Sequence, residues 1–171
     1  SVLRCLFQAK RDLFEGLGIA EPGKWEWKAH PVVVLDFNGI THDTPENFRT
    51  ALAMNLEETA GNFGVEARRP LLKEKFRELL LNLRKKQEMR VVVLVDEYDK
   101  PIIDHLGRGS SALDMARANQ DILKSLFGVL KDTEISPVLR FVFITGVSKF
   151  SKVSIFSDLN NLEDITMRPE Y

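Results

Sequence analysis

Apolar residues along this chain follow two rhythms. In three short runs they are nearly continuous: Pro31–Phe37, Val91–Val95 and, within a predicted strand over 140–146, Phe141–Ile144. Short β-branched runs of this kind read as strands buried on both faces, the habit of parallel sheets. Elsewhere apolar residues recur at helical spacing. Residues 2–15 place Val2, Leu3, Leu6, Phe7, Leu13 and Phe14 on one broad helical face, which Gly16 can terminate. Thr44-Pro45 is a helix start, with Thr as N-cap and Pro at the first helical position. That helix should run to about Gly61 and pack Phe48, Leu52 and Leu56. Pro70 opens the next, with Leu72, Phe76, Leu79, Leu80 and Leu83 inward, and a helix over about 112–131 packs Ile122, Leu123, Leu126, Phe127 and Leu130. Residues 20–30 hold Pro22, Gly23, Trp25 and Trp27 and read as a turn or short hairpin. Gly107 to Ser111 read as a loop, and 147–171 as loop with short helical turns. Strands alternating with helices predict an α/β fold around a parallel sheet with right-handed crossovers.

Each predicted strand ends on a polar group: Asp36 on the first, Asp96 with Glu97 on the second, Thr145 on the third. Parallel strands bring their carboxyl ends to one edge, where α/β domains bind ligands. A hydrophobic strand followed by Asp and Glu is the Walker B pattern. There the Asp holds Mg²⁺, usually through water, and the Glu polarises the attacking water. The plainer alternative is a strand that ends and meets acidic loop residues. Thr145 or Ser148 could touch the attacking water or a γ-phosphate, or Thr145-Gly146 could simply cap a strand. Lys149 and Lys152 could neutralise phosphate, although solvated lysines are the commoner explanation.

The 171 residues, 29% charged and 44% hydrophobic, suit one globular domain with a sizeable core. A formal net charge of −1 supplies no global field toward nucleic acid or an anionic membrane, which leaves only a local basic patch open. The run Arg84-Lys85-Lys86 reads first as complementation of a helix C-terminus. The single cysteine, Cys5, excludes an internal disulfide, supplies no metal cluster and is expected in the core. These features suit a reducing cytoplasm, and no apolar run approaches membrane-spanning length. His30, His42 and His105 lack metal-ligand spacing and are expected in loops or on the surface. Trp25 and Trp27 alternate as in a hairpin, with stacking on a base as the alternative, and Asn160 and Asn161 carry turn chemistry. A PD-(D/E)XK nuclease centre fails at this strand, because the residue two before Lys100 is Tyr98. A receiver domain carries its acidic pair on the first strand, whereas here the pair comes later.

Asp-Glu-Tyr-Asp-Lys-Pro at 96–101, the stretch 143–157 and Leu-Asn-Asn-Leu-Glu-Asp-Ile-Thr at 159–166 resemble the AAA-ATPase-like family. Leu13–Leu17 and Val34–Phe37 match its earlier segments. The family comprises predicted P-loop ATPases, often fused to a PD-(D/E)XK nuclease-like domain. The resemblance implies a three-layer parallel sheet of the additional-strand P-loop NTPase type, with 91–95 between 32–36 and 141–145. It makes Asp96 the metal-site residue, Glu97 the catalytic glutamate and Thr145 the sensor, with Ser148 and Lys149 toward the nucleotide. ATP and Mg²⁺ are then the cofactors of the intact protein. Family members begin with a strand and a Walker A loop of the kind Arg-Arg-Phe-Gly-Lys-Ser. Here no G-x-x-x-x-G-K-[ST] occurs, Gly23-Lys24 is followed by Trp25, and Ser1 opens directly onto a helix. The expectation is a single truncated domain, 1–171, that carries the Walker B and sensor segments and by itself binds little nucleotide. The absent strand would lie against 141–145, and its loss would favour self-association through that edge. The alternative is a degenerate scaffold or interaction module.

Overall fold

The computed structural model describes residues 1–147, 155 and 162–165. In chain order the regular elements are α1 (Val2–Phe7), β1 (Val32–Asp36), α2 (Pro45–Phe63), α3 (Leu72–Gln87), β2 (Val91–Asp96), α4 (Lys100–Ile103), α5 (Ser110–Phe127) and β3 (Leu139–Ile144). The three strands form one parallel sheet in the order β1-β2-β3, with the valine run in the middle as expected. Asp36 lies opposite Asp96, and Val95 opposite Ile144. Between β2 and β3 the register skips one residue: Leu139 faces Val91 and Phe141 faces Val92, so Arg140 is extra.

Side-chain alternation splits the sheet into two faces. Val33, Leu35, Val91, Val93 and Val95 join the main core with Leu52 and Leu56 of α2, Phe76, Leu79 and Leu80 of α3, and Leu123 and Leu126 of α5. Val32, Val92 and Leu94 form a smaller cluster on the other face, covered by Phe7, Leu3 and Trp25. Asp36 and Asp96 are in phase with this smaller face.

Local chemistry places the helices. The Thr44 hydroxyl accepts from the Asn47 amide at 3.1 Å, capping α2, and Gly64 ends it in the left-handed conformation (φ 63°). The chain then retraces α3. Lys86 Nζ donates to the Gly64 carbonyl (2.8 Å), Asn82 to Glu66 (2.8 Å) and Lys75 to Ala67 (3.1 Å). This return path makes α2 and α3 run in the same direction on one face. Lys75, only 5% exposed, also meets the Glu57 carboxylate, so the burial of its charge is offset.

The N-terminal segment departs from expectation. The helix predicted over 2–15 stops at Phe7, and Ala9 takes a left-handed backbone (φ 56°). The Lys10 amide closes this end on the Cys5 carbonyl (3.1 Å), and a 3₁₀ turn at Arg11–Phe14 follows. The face that α1 covers offers few side chains, so two turns of helix suffice, and Val2 (71%) and Leu13 (59%) stay exposed. Cys5 is half-buried rather than a core residue. No hairpin forms over 20–30; these residues are turns and extended chain. Trp25 packs edge-on against Phe7 (5.4 Å) and Trp27 packs at a tilt against Phe14 (5.5 Å), so their alternation serves aromatic packing without a partner strand. The last predicted helix begins at Ser110 and passes at Phe127 into a 3₁₀ turn that reaches Lys131.

Candidate functional site

The candidate site is the end of β2. Val95 is buried, whereas Asp96 is exposed. Glu97 takes a left-handed backbone (φ 51°), a conformation that costs a residue with a side chain about 1–2 kcal/mol. Neighbours hold the turn on both sides. The Phe37 amide donates to the Asp96 carbonyl (3.1 Å), the Thr145 amide to the Val95 carbonyl (2.9 Å) and the Tyr98 amide to the Thr145 carbonyl (3.1 Å). The Lys100 amide closes on the Glu97 carbonyl (3.0 Å).

Two of the residues singled out by sequence meet directly. The Thr145 hydroxyl lies 2.5 Å from Asp96 Oδ1 and 3.3 Å from the Val95 carbonyl. It has one proton to give, and the shorter contact to the charged oxygen takes it. Asp36 sits opposite Asp96 on the same edge, but its Oδ1 accepts from the Asn38 amide (3.0 Å) and so serves the turn after β1. Ser148 and Lys149, with Lys152, Asn160 and Asn161, lie outside the described residues.

Gly146 holds the turn close. A Cβ there would come 2.5 Å from Cε1 and 2.6 Å from Cδ1 of Tyr98, and 2.8 Å from Asp99 Oδ1. Tyr98 and Asp99 are 4% and 1% exposed, so neither can move aside cheaply.

Sequence reasoning missed a polar cluster beside this edge. His42, in the loop after β1, has Nδ1 2.7 Å from the Ile40 carbonyl and Nε2 2.9 Å from Asp104 Oδ2. Both ring nitrogens therefore face oxygens. Lys100 lies 3.3 Å from the same Asp104 oxygen. Burial pushes the Asp104 carboxyl up, but the hydrogen bonds from His42 and Lys100 outweigh it and hold the group below its ordinary 3.8. His105 lies in a turn, within the expectation of a loop or surface residue, but it is buried, and its Nε2 meets the His42 carbonyl at 2.8 Å. Asn119 of α5, fully buried, donates to the carbonyls of His42 (3.1 Å) and Pro101 (2.9 Å). These contacts fasten the loop after β1 to α4 and α5. The only sequence signal was a polar Asn119 within the apolar stripe of α5.

The sequence model of a family described as predicted AAA-ATPase matches residues 1–156. The chain belongs to this predicted AAA-ATPase family. A curated relative from Azotobacter chroococcum mcd 1, described as an uncharacterized protein in the vnfD 5' region, is 38% identical over 167 residues. The match covers 97% of this chain and 31% of the relative, so the chain spans about a third of that protein's length. No solved structure matches it. No helix among the described residues is long and apolar enough to cross a membrane.

The family implies a Mg²⁺-nucleotide, and the donor set fits one. Among the described residues no three His, Cys, Asp or Glu side chains gather into a metal cage. Mg²⁺ bound with a nucleotide does not need such a cage: it keeps several waters, takes phosphate oxygens and requires one or two protein oxygens. Exposed Asp96, steadied by Thr145, is a donor of that kind.

Two outcomes follow from this geometry. Gly146→Ala should lower unfolding free energy by about 1–3 kcal/mol, the ordinary penalty for overpacking, measured by chemical denaturation. Asp104→Asn should destabilise at neutral pH but not in acid. Because the folded carboxyl lies below its ordinary 3.8, its stabilisation is complete above that value and lost as pH falls below it, where wild type and variant should converge.

Proposed function

We propose that this chain supplies the hydrolytic half of an ATPase site, with Asp96-Glu97 as Walker B and Thr145 as sensor. The observation that supports it most is the meeting of Asp96 and Thr145 at the carboxyl edge of adjacent parallel strands, with Glu97 next in the chain. In this assignment Asp96 is the residue that would hold the metal. When bound, Mg²⁺ supplies positive charge to the phosphate oxygens of ATP. Thr145 orients the Asp96 carboxylate by its donated hydrogen bond and presents its own oxygen lone pairs to the same edge. Glu97 holds a proton of the attacking water. Its left-handed backbone is costly for a glutamate, and such strain collects at sites where a particular side chain is needed. Ser148 and Lys149 follow Thr145 and are assigned to the γ-phosphate side.

The phosphate-binding loop is proposed to come from elsewhere in the protein, since G-x-x-x-x-G-K-[ST] is absent from these 171 residues. The sheet is then of the additional-strand type. The strand leading into that loop would pair with the outer edge of β3, where Phe141 is still 36% exposed. In a protein lacking that strand, the same edge is the proposed route of self-association.

The full-length protein tests the roles. Glu97→Gln should bind ATP with near wild-type affinity while its turnover drops roughly 10²-fold or more, the usual effect of losing a positioned base. Asp96→Ala should weaken ATP binding in the presence of Mg²⁺ and change it little in EDTA. Equal turnover by wild type and Glu97→Gln, measured as phosphate release, would remove Glu97 from the chemistry and favour a non-hydrolytic scaffold.

A further inference from the structure

The opposite edge of the sheet carries a second concentration of charge that the ATPase chemistry does not use. There a cleft of about 360 Å³ is lined by Lys28, His30, Arg84, Arg90 and Arg140. These groups come from separate segments: the approach to β1, the last turn of α3, the approach to β2, and β3. Glu26 and Glu88 also line the cleft, and Glu26 is taken up by an ion pair with Lys28. None of Arg84, Arg90 and Arg140 forms an ion pair among the described residues. One cation here complements the C-terminal end of α3, but three guanidinium groups exceed that need.

The fold gathers these groups by specific devices. Arg140 is the residue the β2–β3 register skips, and an extra residue of this kind re-aims its side chain away from the regular alternation. His30 Nδ1 donates to the Arg90 carbonyl at 2.8 Å, fastening the approach to β2 against the approach to β1. Glu88 ends α3 in a left-handed conformation (φ 56°), which turns the chain from Arg84 back toward Arg90. Arg140 and His30 add to the pull that Lys28 exerts on the Glu26 carboxyl, holding it below its ordinary value.

We propose that this arginine cleft binds the phosphodiester backbone of a nucleic-acid strand. Like charges repel one another within the cleft, and a run of phosphates reverses the sign of that interaction. Guanidinium forks match phosphate oxygens bidentately. The lining holds no Phe, Tyr or Trp, and its one ring, the His30 imidazole, is fastened to the Arg90 carbonyl, so recognition is of the backbone and independent of sequence. Because the cleft lies at the amino ends of the strands, a nucleic acid held there leaves the Asp96 edge clear.

The test is fluorescence anisotropy of the full-length protein with a fluorescein-labelled single-stranded oligodeoxythymidine at several salt concentrations. Replacing Arg84, Arg90 and Arg140 together by Gln should weaken binding at low salt about tenfold or more. It should also shrink the slope of log affinity against log salt by about 2, since each lost single-strand phosphate contact removes about 0.7. Arg90→Gln alone, at an exposed side chain, should remove about one such step without a change in melting temperature. Arg49→Gln and Arg108→Gln, at exposed arginines outside the cleft, should change neither quantity. Unchanged affinity and slope in both the triple variant and Arg90→Gln would overturn the proposal. So would absence of oligonucleotide binding by the wild type, or tighter binding to polyglutamate or to phosphatidylserine vesicles.

Discussion

Complete burial of β2 is the constraint on which the rest of the structure depends. Val91, Val92 and Val93 are 0% exposed, Val95 2% and Leu94 5%. Each such side chain contributes roughly 1.5–3 kcal/mol when removed from water. The gain is realised only if both faces are covered and both rows of backbone groups are bonded. β1 and β3 supply the backbone partners, α2, α3 and α5 cover one face, and Phe7, Leu3 and Trp25 cover the other. The strand meets water again at Asp96. An acid there is inexpensive, whereas one position earlier it would be a buried charge.

The carboxyl edge inherits its order from that core. Phe37 and Thr145 continue the hydrogen bonding of β1 and β3 one residue past the strands, so the end of β2 is held from both sides, at the Asp96 carbonyl by Phe37 and at the Val95 carbonyl by Thr145. Gly146 lets Tyr98 and Asp99 pack beneath the turn, and the His42–Asp104 pair ties the loop after β1 to the segment after β2. The amino edge is built differently. There the cations of the segments that precede β1 and β2 meet the extra residue of β3, Arg140. A formal net charge of −1 conceals this gathering of guanidinium groups at the amino edge.

Much of this was legible in the sequence because it rests on local signals. A run of Val and Leu with no polar interruption has only one comfortable place, a sheet interior, and Thr44-Pro45 marks the start of α2 without help from the fold. Asp36, Asp96 and Thr145 fell on one edge because parallel strands leave no alternative. What escaped rests on non-local contacts. The break after Phe7 depends on how much sheet surface α1 has to cover. The Trp25 and Trp27 pattern mimics a hairpin but answers to Phe7 and Phe14. His42 and His105 are 63 residues apart, and only the fold brings Nε2 of His105 to the His42 carbonyl. The basic run at 84–86 read as a helix end, and Lys86 does serve the end of α2. Arg84 gains its second meaning from Arg90 and Arg140, whose convergence depends on a skipped register position that no local pattern announces.

The central claim is that Asp96, Glu97 and Thr145 form the hydrolytic edge of a nucleotide site. It is tested most directly by a crystal structure of the full-length protein with Mg²⁺, ADP and aluminium fluoride. The account predicts Asp96 on a water ligand of the metal, Glu97 on the water in line with the fluoride, and a further strand of the same protein paired with the outer edge of β3. A nucleotide bound away from the carboxyl ends of the strands, or a Glu97 turned from the in-line water, would contradict it.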